Sequence, residues 1–358
     1  MKGVGNLLPP FIQRFFINNR VIQYIIVIAF CLFALILSVS KGSVEIPFKM
    51  VIQIILAHGF YFPINEQFEA SIVNIVMQIR LPRVLLAMIV GASLALAGAA
   101  FQGFLKNPLA DPYTLGVSSG GAVGAVFVLF LGITIPGLGF FTLPIVSILS
   151  AFITLILVIS FSRMVQRSMS SETIILAGIV FSSFLGAFIS LMIALTGEEL
   201  RQIIGWLMGS VAMRGWNYVW MALVLLVIGF LLLFFNRQEL NALAFGEETA
   251  RQLGVNVRVR KYVILIGATI ITGGAVAVAG TIGFVGLVVP HITRLLWGAN
   301  HRHLLPLSMF VGAGFLALTD LVARTIIAPT ELPIGVITAM IGAPIFAIIL
   351  IRQRREQV

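Results

Sequence analysis

The sequence predicts an all-α protein that crosses a membrane many times. Of its 358 residues, 59% are hydrophobic and 10% are charged, and the mean hydropathy is +1.09. The apolar residues are gathered into runs of about 20, the length that an α-helix needs to cross the hydrocarbon core of a bilayer. This composition excludes a soluble protein and indicates one transmembrane domain that occupies residues 1–358.

Hydropathy windows predict ten transmembrane helices in this domain. The windows cover residues 21–40, 84–104, 115–133, 143–161, 173–195, 217–235, 262–280, 282–297, 305–323 and 333–351. An even number of crossings places both termini on the same side of the membrane. Lys and Arg are concentrated near the two termini and in residues 237–261, and this asymmetry assigns that side to the cytoplasm.

The chain carries no recognisable catalytic or metal-binding motif. No GxxxxGK[ST] loop, HExxH or GxSxG sequence occurs, and the single Cys31 and the four His form no metal-ligand pattern. We therefore expect no catalytic residue, no metal and no cofactor bound by this chain. The net charge of +10 is explained by membrane topology, because basic residues flank the apolar runs, and we expect no nucleic-acid partner.

The predicted spans also lack the internal charged side chains that a proton- or sodium-coupled carrier needs. If the protein moves a solute, its energy must come from another subunit. A membrane scaffold without transport activity is the alternative from a different class of protein.

Residues 237–261 form the one long polar segment between apolar runs, and we call them the polar segment. It contains five Lys or Arg and three Glu, so it must lie outside the bilayer. Gly246 and Gly254 are suited to end helices, and Glu247 and Glu248 to begin one. The pattern predicts two short helices joined at Gly246, which form either an ordinary cytoplasmic loop or a docking surface for a soluble subunit.

Small residues follow one face of the fifth predicted span. They recur at every fourth position: Gly178, Ser182, Gly186, Ser190 and Ala194. Such a face either packs closely against another helix or lines a passage between helices. Ser170, Ser171 and Glu172 precede it as a polar collar, which is also typical of a helix N-cap.

Three arginines are expected at the opposite membrane face. Arg80 and Arg83 flank Pro82, and Arg324 follows Asp320 by one helical turn. Guanidinium groups bind carboxylates in a bidentate manner, so the three residues are candidates for docking a partner protein. The alternatives are side chains that reach the lipid headgroups and a simple intrahelical ion pair.

A repeated pattern of Gly and Pro suggests two related halves. Gly91, Gly98 and Pro108 recur at a constant offset as Gly273, Gly280 and Pro290. The two copies fall in the second and seventh predicted spans, which cross the membrane in opposite directions. The pattern therefore favours an inverted repeat, a plan common among transporters.

Five motifs resemble the permease family of ABC importers for iron-siderophores, haem and cobalamin. They are RLPR at 80–83, GASLALAGAAFQGFLKNPLADPYTLGVSSGG at 91–121, GEETARQLGV at 246–255, GTIGFVGLVVPHITRLL at 280–296 and ELPIGVITAMIGAPIF at 331–346. The resemblance implies a ten-helix, inverted-repeat permease fold in a bacterial cell membrane. It also implies a second permease chain, identical or homologous, two ATP-binding subunits that hold ATP and Mg, and an extracytoplasmic substrate-binding protein.

The resemblance assigns roles to particular residues. It implies docking of the binding protein by Arg80, Arg83 and Arg324. It implies coupling to the ATP-binding subunits by Leu240, Leu243, Glu247, Glu248, Arg251 and Leu253. It implies a translocation path and gate formed by Ser170, Ser171, Gly178, Ser182, Gly186 and Ser190. Cobalamin permeases hold a Thr-Ser pair at the gate, where this chain has Ser171 and Glu172. The expected cargo is a ferric siderophore, with haem or cobalamin as the alternative.

Overall fold

The computed structural model describes residues 19–42, 44–59, 61–63, 68–166 and 169–355. Within these ranges the chain is helical and contains no strand. The helices are α1 (Arg20–Ser40), α2 (Phe48–Ile54), α3 (Ala70–Asn74), α4 (Leu81–Phe104), α5 (Val117–Leu131), α6 (Thr142–Val165), α7 (Ser171–Leu195), α8 (Leu200–Leu207), α9 (Trp216–Phe235), α10 (Arg237–Phe245), α11 (Glu247–Gln252), α12 (Val257–Ala279), α13 (Val285–Trp297), α14 (His301–Thr325) and α15 (Ile334–Arg355). Lys2, Arg14 and Arg167, which contribute to the predicted orientation, lie outside the described residues.

The all-α, multi-pass fold predicted from the sequence is confirmed. A helix coincides with each hydropathy window, and seven helical stretches among the described residues are long and apolar enough to cross a membrane. The apolar stretches Val117–Leu131 in α5, Val285–Trp297 in α13 and Ile334–Ile349 in α15 are shorter than these seven. α5 ends where Gly132 takes a left-handed conformation, and α13 begins only after a non-helical connection at 280–284. Ten crossings therefore stay a prediction.

Helix α4 lies at the centre of the bundle because its sequence is rich in Gly and Ala. Small side chains let neighbouring helices approach backbone to backbone. A Cβ atom added at Gly91 would overlap the carbonyl oxygen of Gly312 in α14, and one at Gly98 would overlap that of Gly286 in α13. Nearly every residue of α4 is buried as a result.

The proposed sequence repeat is reproduced by one glycine pair and not by another. Gly91 in α4 packs against α14, and Gly273 in α12 faces Ala151 of α6, the corresponding helix of the other half. Gly98 lies inside a helix, whereas Gly280 has a φ of 72° and ends α12. The two halves share a pattern of small residues, but their local structures differ at this position.

The polar segment folds as predicted at its centre. α10 and α11 are joined at Gly246, whose φ of 127° and ψ of 151° are accessible mainly to glycine. Gly254 follows α11 with a φ of 82°. The segment therefore makes a sharp bend between two short helices, and α10 packs against α4 and α14.

A tight connection links α4 to α5 at the same end of the bundle. α4 continues to Phe104 and α5 begins at Val117, so the non-helical connection covers residues 105–116. The Asp111 carboxylate accepts hydrogen bonds from the backbone amides of Tyr113 at 2.8 Å and Thr114 at 3.1 Å. Burial raises the pKa of Asp111 to about 6, although these two hydrogen bonds favour its ionised form.

Candidate functional site

The three arginines singled out in the sequence meet at one end of the bundle, which we call the arginine end. They line an open cavity of about 590 Å³. α4 begins at this end and α14 finishes there, because the two helices run antiparallel. The charged residues that line the cavity are Lys41, Glu45, Arg80, Arg83, Arg324 and Glu331.

Arg83 lies between two carboxylates. Its Nε and Nη2 atoms donate to Asp320 at 2.9 to 3.1 Å, and its Nη1 and Nη2 atoms donate to Glu331 at 2.8 and 3.0 Å. The Asp320 side chain is fully buried, whereas that of Glu331 is 44% exposed. The planar fork of the guanidinium suits both contacts. One partner is therefore enclosed in protein, and the other is at the surface.

The contact with Arg83 favours the ionised form of Glu331. The hydrogen bond from Arg83 is the main cause that lowers its pKa below the ordinary value. A carboxylate whose pKa is lowered on folding contributes stability above its unfolded pKa, and this contribution is lost as the pH falls through the lowered value. The Arg83–Glu331 contact is accordingly complete at neutral pH.

Arg324 is bound to Asp320 and to the end of α1. Its Nε lies 3.5 Å from an Asp320 oxygen, and its Nη1 donates to the Lys41 carbonyl at 2.9 Å. Its Nη2 donates to the Ser38 carbonyl. Asp320 also lies within the 305–323 window, so this predicted span is not free of charge as we expected. Its carboxylate is buried only because two arginines bind it.

Arg80 is a structural residue of the same region. Its Nη1 donates to the carbonyls of Val39 and Ser40 at 2.9 Å each, and its Nη2 donates to that of Val44. The last carbonyls of a helix have no partner within the helix, and Arg80 satisfies those of α1. The residue is 5% exposed. Contact with a partner protein would require these bonds to open, which the sequence did not indicate.

The residues assigned to coupling divide into a buried and an exposed group. Leu240 and Leu243 are buried in the core, so they fix α10 to the bundle and are not at the surface as we expected. Leu253 is 67% exposed and Phe245 is 78% exposed. Phe245 is the last residue of α10, and the structure identifies it as a further exposed apolar residue of the polar segment.

The charged coupling residues also differ in their environment. Glu248 and Arg251 are exposed, and their side chains lie 3.7 Å apart along α11. Glu247 faces inward and lies 2.7 Å from the buried Lys261 of α12. Glu247 and Glu248 cannot be distinguished in the sequence, because the direction of each side chain depends on how α11 packs.

The stripe of small residues on α7 serves two environments. Gly178 packs against the backbone of Thr114, and the Ser182 hydroxyl donates to the Tyr113 carbonyl at 3.2 Å. Among the described residues, a Cβ atom added at Gly186 would meet nothing within 4 Å. The Ser190 hydroxyl donates to the Gly186 carbonyl oxygen of the same helix at 3.0 Å. Helix packing therefore explains the first half of the stripe, and the second half faces open space.

Ser170 and Ser171 begin α7 at the end of the bundle that carries the polar segment, the polar-segment end. Ser170 is the N-cap and accepts from the Thr173 amide at 3.3 Å. Its hydroxyl also lies 2.8 Å from the Gln166 side-chain oxygen, which accepts from the Thr173 hydroxyl as well. The collar predicted from the sequence is thus a capping network in this structure.

A contact that the sequence did not reveal joins α10 to α14. The Asn241 side-chain oxygen accepts from the His301 amide at 2.9 Å and lies 2.8 Å from the His301 ring nitrogen Nδ1. Asn241 also donates to the Asn300 side chain at 3.1 Å. Because α14 runs from His301 to the Asp320–Arg324 turn, a single helix connects the polar-segment end with the arginine end.

Comparisons with known proteins agree with this arrangement. The FecCD transport family matches residues 30–352. The uncharacterized ABC transporter permease protein YvrB of Bacillus subtilis is 58% identical over 94% of this chain and 96% of its own length. The cobalamin import system permease protein BtuC of Halobacterium salinarum is 43% identical over 77% and 73%. A solved structure of a metal-chelate type ABC transporter in an inward-facing conformation has a TM-score of 0.80 and 32% identity, and the match covers 93% of this chain and all of that one.

The fold and the two charged ends define a multi-pass membrane permease of the ABC transporter class. The described spans fall almost entirely within the matched residues 30–352. The chain belongs to the FecCD transport family. It is a transport permease, and the resemblance inferred from the five motifs is confirmed.

Replacing Asp320 by Asn should destabilise the fold strongly. Its carboxylate is the buried counterion of Arg83 and Arg324, and removal of one partner from a buried ion pair costs about 3 kcal/mol or more. The matched control is Glu331→Gln, which removes the exposed carboxylate from the same Arg83 and should cost at most about 1 kcal/mol. Reversible unfolding in mixed detergent micelles measures both, and equal losses would contradict the assignment of Asp320 as the main counterion.

Proposed function

We propose that this chain is the permease subunit of a binding-protein-dependent ABC importer that carries a ferric siderophore across a bacterial cell membrane. Separate ATP-binding subunits, with their ATP and Mg, act at the polar segment on the cytoplasmic side, where both termini also lie. The single observation that carries the proposal is the connection of two charged surfaces, the arginine end and the polar-segment end, by α14. The arginine end is available to a ligand-delivering protein, and the polar-segment end is available to the ATP-binding subunits.

The polar segment has the composition of a docking surface for a soluble subunit. Its exposed residues combine an apolar centre, Phe245 and Leu253, with a charged border, Glu248 and Arg251. Interfaces typically bury apolar side chains at the centre and keep polar ones at the border. Leu240 and Leu243 support this surface indirectly, because their buried side chains hold α10 against the bundle.

The arginine end suits a protein partner with surface carboxylates. Arg83 is the central residue, since its contact with Glu331 is at the surface and uses the same geometry that a partner's carboxylate would use. Arg80 and Arg324 support this surface, because both donate hydrogen bonds to carbonyls at the end of α1. The proposed partner is an extracytoplasmic substrate-binding protein.

Helix α7 is the candidate wall of the translocation path. It is the most exposed of the long apolar helices described, and only 17% of its apolar window is buried within this chain. Its second half, with Gly186 and Ser190, faces open space that a second permease chain would enclose. Small side chains bind a bulky chelate weakly, so selectivity should depend chiefly on the binding protein.

The cargo is the finer part of the proposal. The solved relative described as metal-chelate type supports a metal chelate as the cargo, and a ferric siderophore is the member of this class that we propose. The alternative is cobalamin, because the BtuC relative imports it and covers most of this chain. Haem is a further metal chelate of similar bulk.

Uptake by the reconstituted complex tests this function. The chain, the ATP-binding subunit and the binding protein encoded beside it are placed in proteoliposomes, and the entry of radiolabelled ferric siderophore, haem and cobalamin is measured. We expect ATP-dependent entry of the ferric siderophore only when the binding protein is present. Entry of cobalamin or haem instead would identify that compound as the cargo. Failure of any ATP-binding subunit to co-purify would favour a membrane scaffold.

Replacing Glu331 by Gln should increase the affinity for the binding protein. The change frees Arg83 from its surface carboxylate, so a partner's carboxylate no longer has to displace it. An exposed ion pair of about 1 kcal/mol corresponds to roughly a fivefold lower dissociation constant. The control is Glu45→Gln, which changes the charge equally in the same cavity but releases only Lys41. The dissociation constant is measured by titrating the binding protein onto the nanodisc-embedded complex. Equal dissociation constants for the two variants would contradict the docking role of Arg83.

Replacing Leu253 by Ser should weaken attachment of the ATP-binding subunit. Loss of one buried leucine side chain from an interface costs about 1.5 to 3 kcal/mol, equivalent to roughly a tenfold or greater loss of affinity. The control is Leu200→Ser on α8, a leucine that is also exposed but lies outside the polar segment. Co-purification at several subunit concentrations measures the effect. Equal recovery with both variants would show that Leu253 is not in the interface.

A further inference from the structure

Lys261 is the most unusual charged residue of the polar segment. Its side chain is 2% exposed and ranks among the largest fully buried side chains. An ammonium group removed from water is costly unless charged and polar groups surround it. The Nζ atom lies 2.7 Å from Glu247 Oε1 and donates to the Met169 carbonyl oxygen at 2.7 Å. The residue therefore joins two segments that are far apart in the sequence.

The two partners belong to different parts of the proposed machinery. Glu247 is the first residue of α11, beside the surface proposed to meet the ATP-binding subunit. Met169 immediately precedes Ser170, the N-cap of α7. Lys261 and its neighbour Tyr262, in the first turns of α12, both contact Met169.

The direction of the Met169 carbonyl is fixed by its surroundings. Met169 is buried, and its φ of 49° is a left-handed conformation that a residue with a side chain rarely adopts. The Tyr262 hydroxyl lies 3.9 Å from its sulfur atom. A backbone held in this way cannot easily turn its carbonyl toward another donor, so a displacement of Lys261 is transmitted to the start of α7.

We propose that Lys261 is a positioning residue that transmits movement of α11 to the first turn of α7. The proposal rests on the function proposed above, and it assigns a role to a residue that neither the charge pattern nor the motifs singled out. When α11 moves, Glu247 moves with it. The ion pair then displaces Lys261, and the hydrogen bond from Lys261 to the Met169 carbonyl displaces the N-terminus of α7. Because the ion pair is largely shielded from solvent, salt screens it little.

Stability alone does not account for this arrangement. A buried ion pair is on average no better for stability than well-packed apolar side chains of similar volume. An unbranched methionine at this position would fill much of the same space. What methionine cannot do is hold a carboxylate of α11 and a carbonyl beside α7 at the same time.

Thiol labelling at the start of α7 tests the transmission. Cys31 is replaced by Ser, which can keep the bond to the Phe310 carbonyl, and Glu172→Cys provides one exposed thiol in the first turn of α7. The rate of maleimide labelling is measured in the full complex with and without a non-hydrolysable ATP analogue. We expect the nucleotide to change this rate by at least about fivefold, in the range of typical coupling between sites. In Lys261→Met the rate should no longer depend on nucleotide, while the ATP-binding subunit still co-purifies.

Matched variants decide the outcome. Arg258→Met removes a positive charge from an exposed position one turn earlier in α12 and should keep the full nucleotide response. A full response in Lys261→Met would overturn the proposal. Should Lys261→Met fail to assemble, Glu247→Gln removes the charge but keeps a hydrogen-bond acceptor, and an undiminished response there would also overturn it. If the unaltered chain neither recruits an ATP-binding subunit nor responds to nucleotide, the proposed function itself fails.

Discussion

The backbone contact between α4 and α14 is the constraint on which the two ends of the molecule depend. Gly91 and Gly312 meet at the middle of this antiparallel pair, where neither tolerates a Cβ atom. The same pairing brings Arg83 to Asp320 at one end, and Gly103 against the His301 ring at the other. A side chain inserted at the middle would separate the helices and disturb both ends together. In a bilayer, where no hydrophobic effect drives helices together, such close packing is a major source of association.

The bundle accommodates charge by confining it to its ends and by pairing what it buries. Asp320 is fully buried, but Arg83 and Arg324 bind it, and Arg324 in turn donates to carbonyls at the end of α1. Lys261 shows the same principle at the other end, where a carboxylate and a carbonyl are among its partners. Since an isolated charge in a low-dielectric interior is very costly, each buried ion acquires partners from several elements. The charged groups thereby connect helices that are distant in sequence.

The sequence predicted what depends on local pattern. Apolar runs identified the long spans, the glycine at position 246 identified the bend of the polar segment, and RLPR identified an arginine cluster. It failed where a residue's role depends on a backbone partner from elsewhere in the chain. Arg80 was assigned to docking, yet it binds carbonyls of the α1 end, and the sequence does not show where a backbone carbonyl will lie. Leu240 and Leu243 were assigned to coupling together with Leu253, and only packing separates the two buried leucines from the exposed one.

The two halves of α7 determine how the proposed path helix can move. Gly178 lies so close to the Thr114 backbone that sliding along the helix axis would produce a clash, and Ser182 adds a hydrogen bond at the same level. Among the described residues, a Cβ atom added at Gly186 would meet nothing within 4 Å, and Ser190 and Ala194 are exposed. A displacement applied at Met169, at the other side of this contact, would therefore tilt α7 about Gly178 and not translate it. Met192, on another face of the second half, is buried against Val126 of α5 and Ile203 of α8, so a tilt of α7 would move these two helices with it.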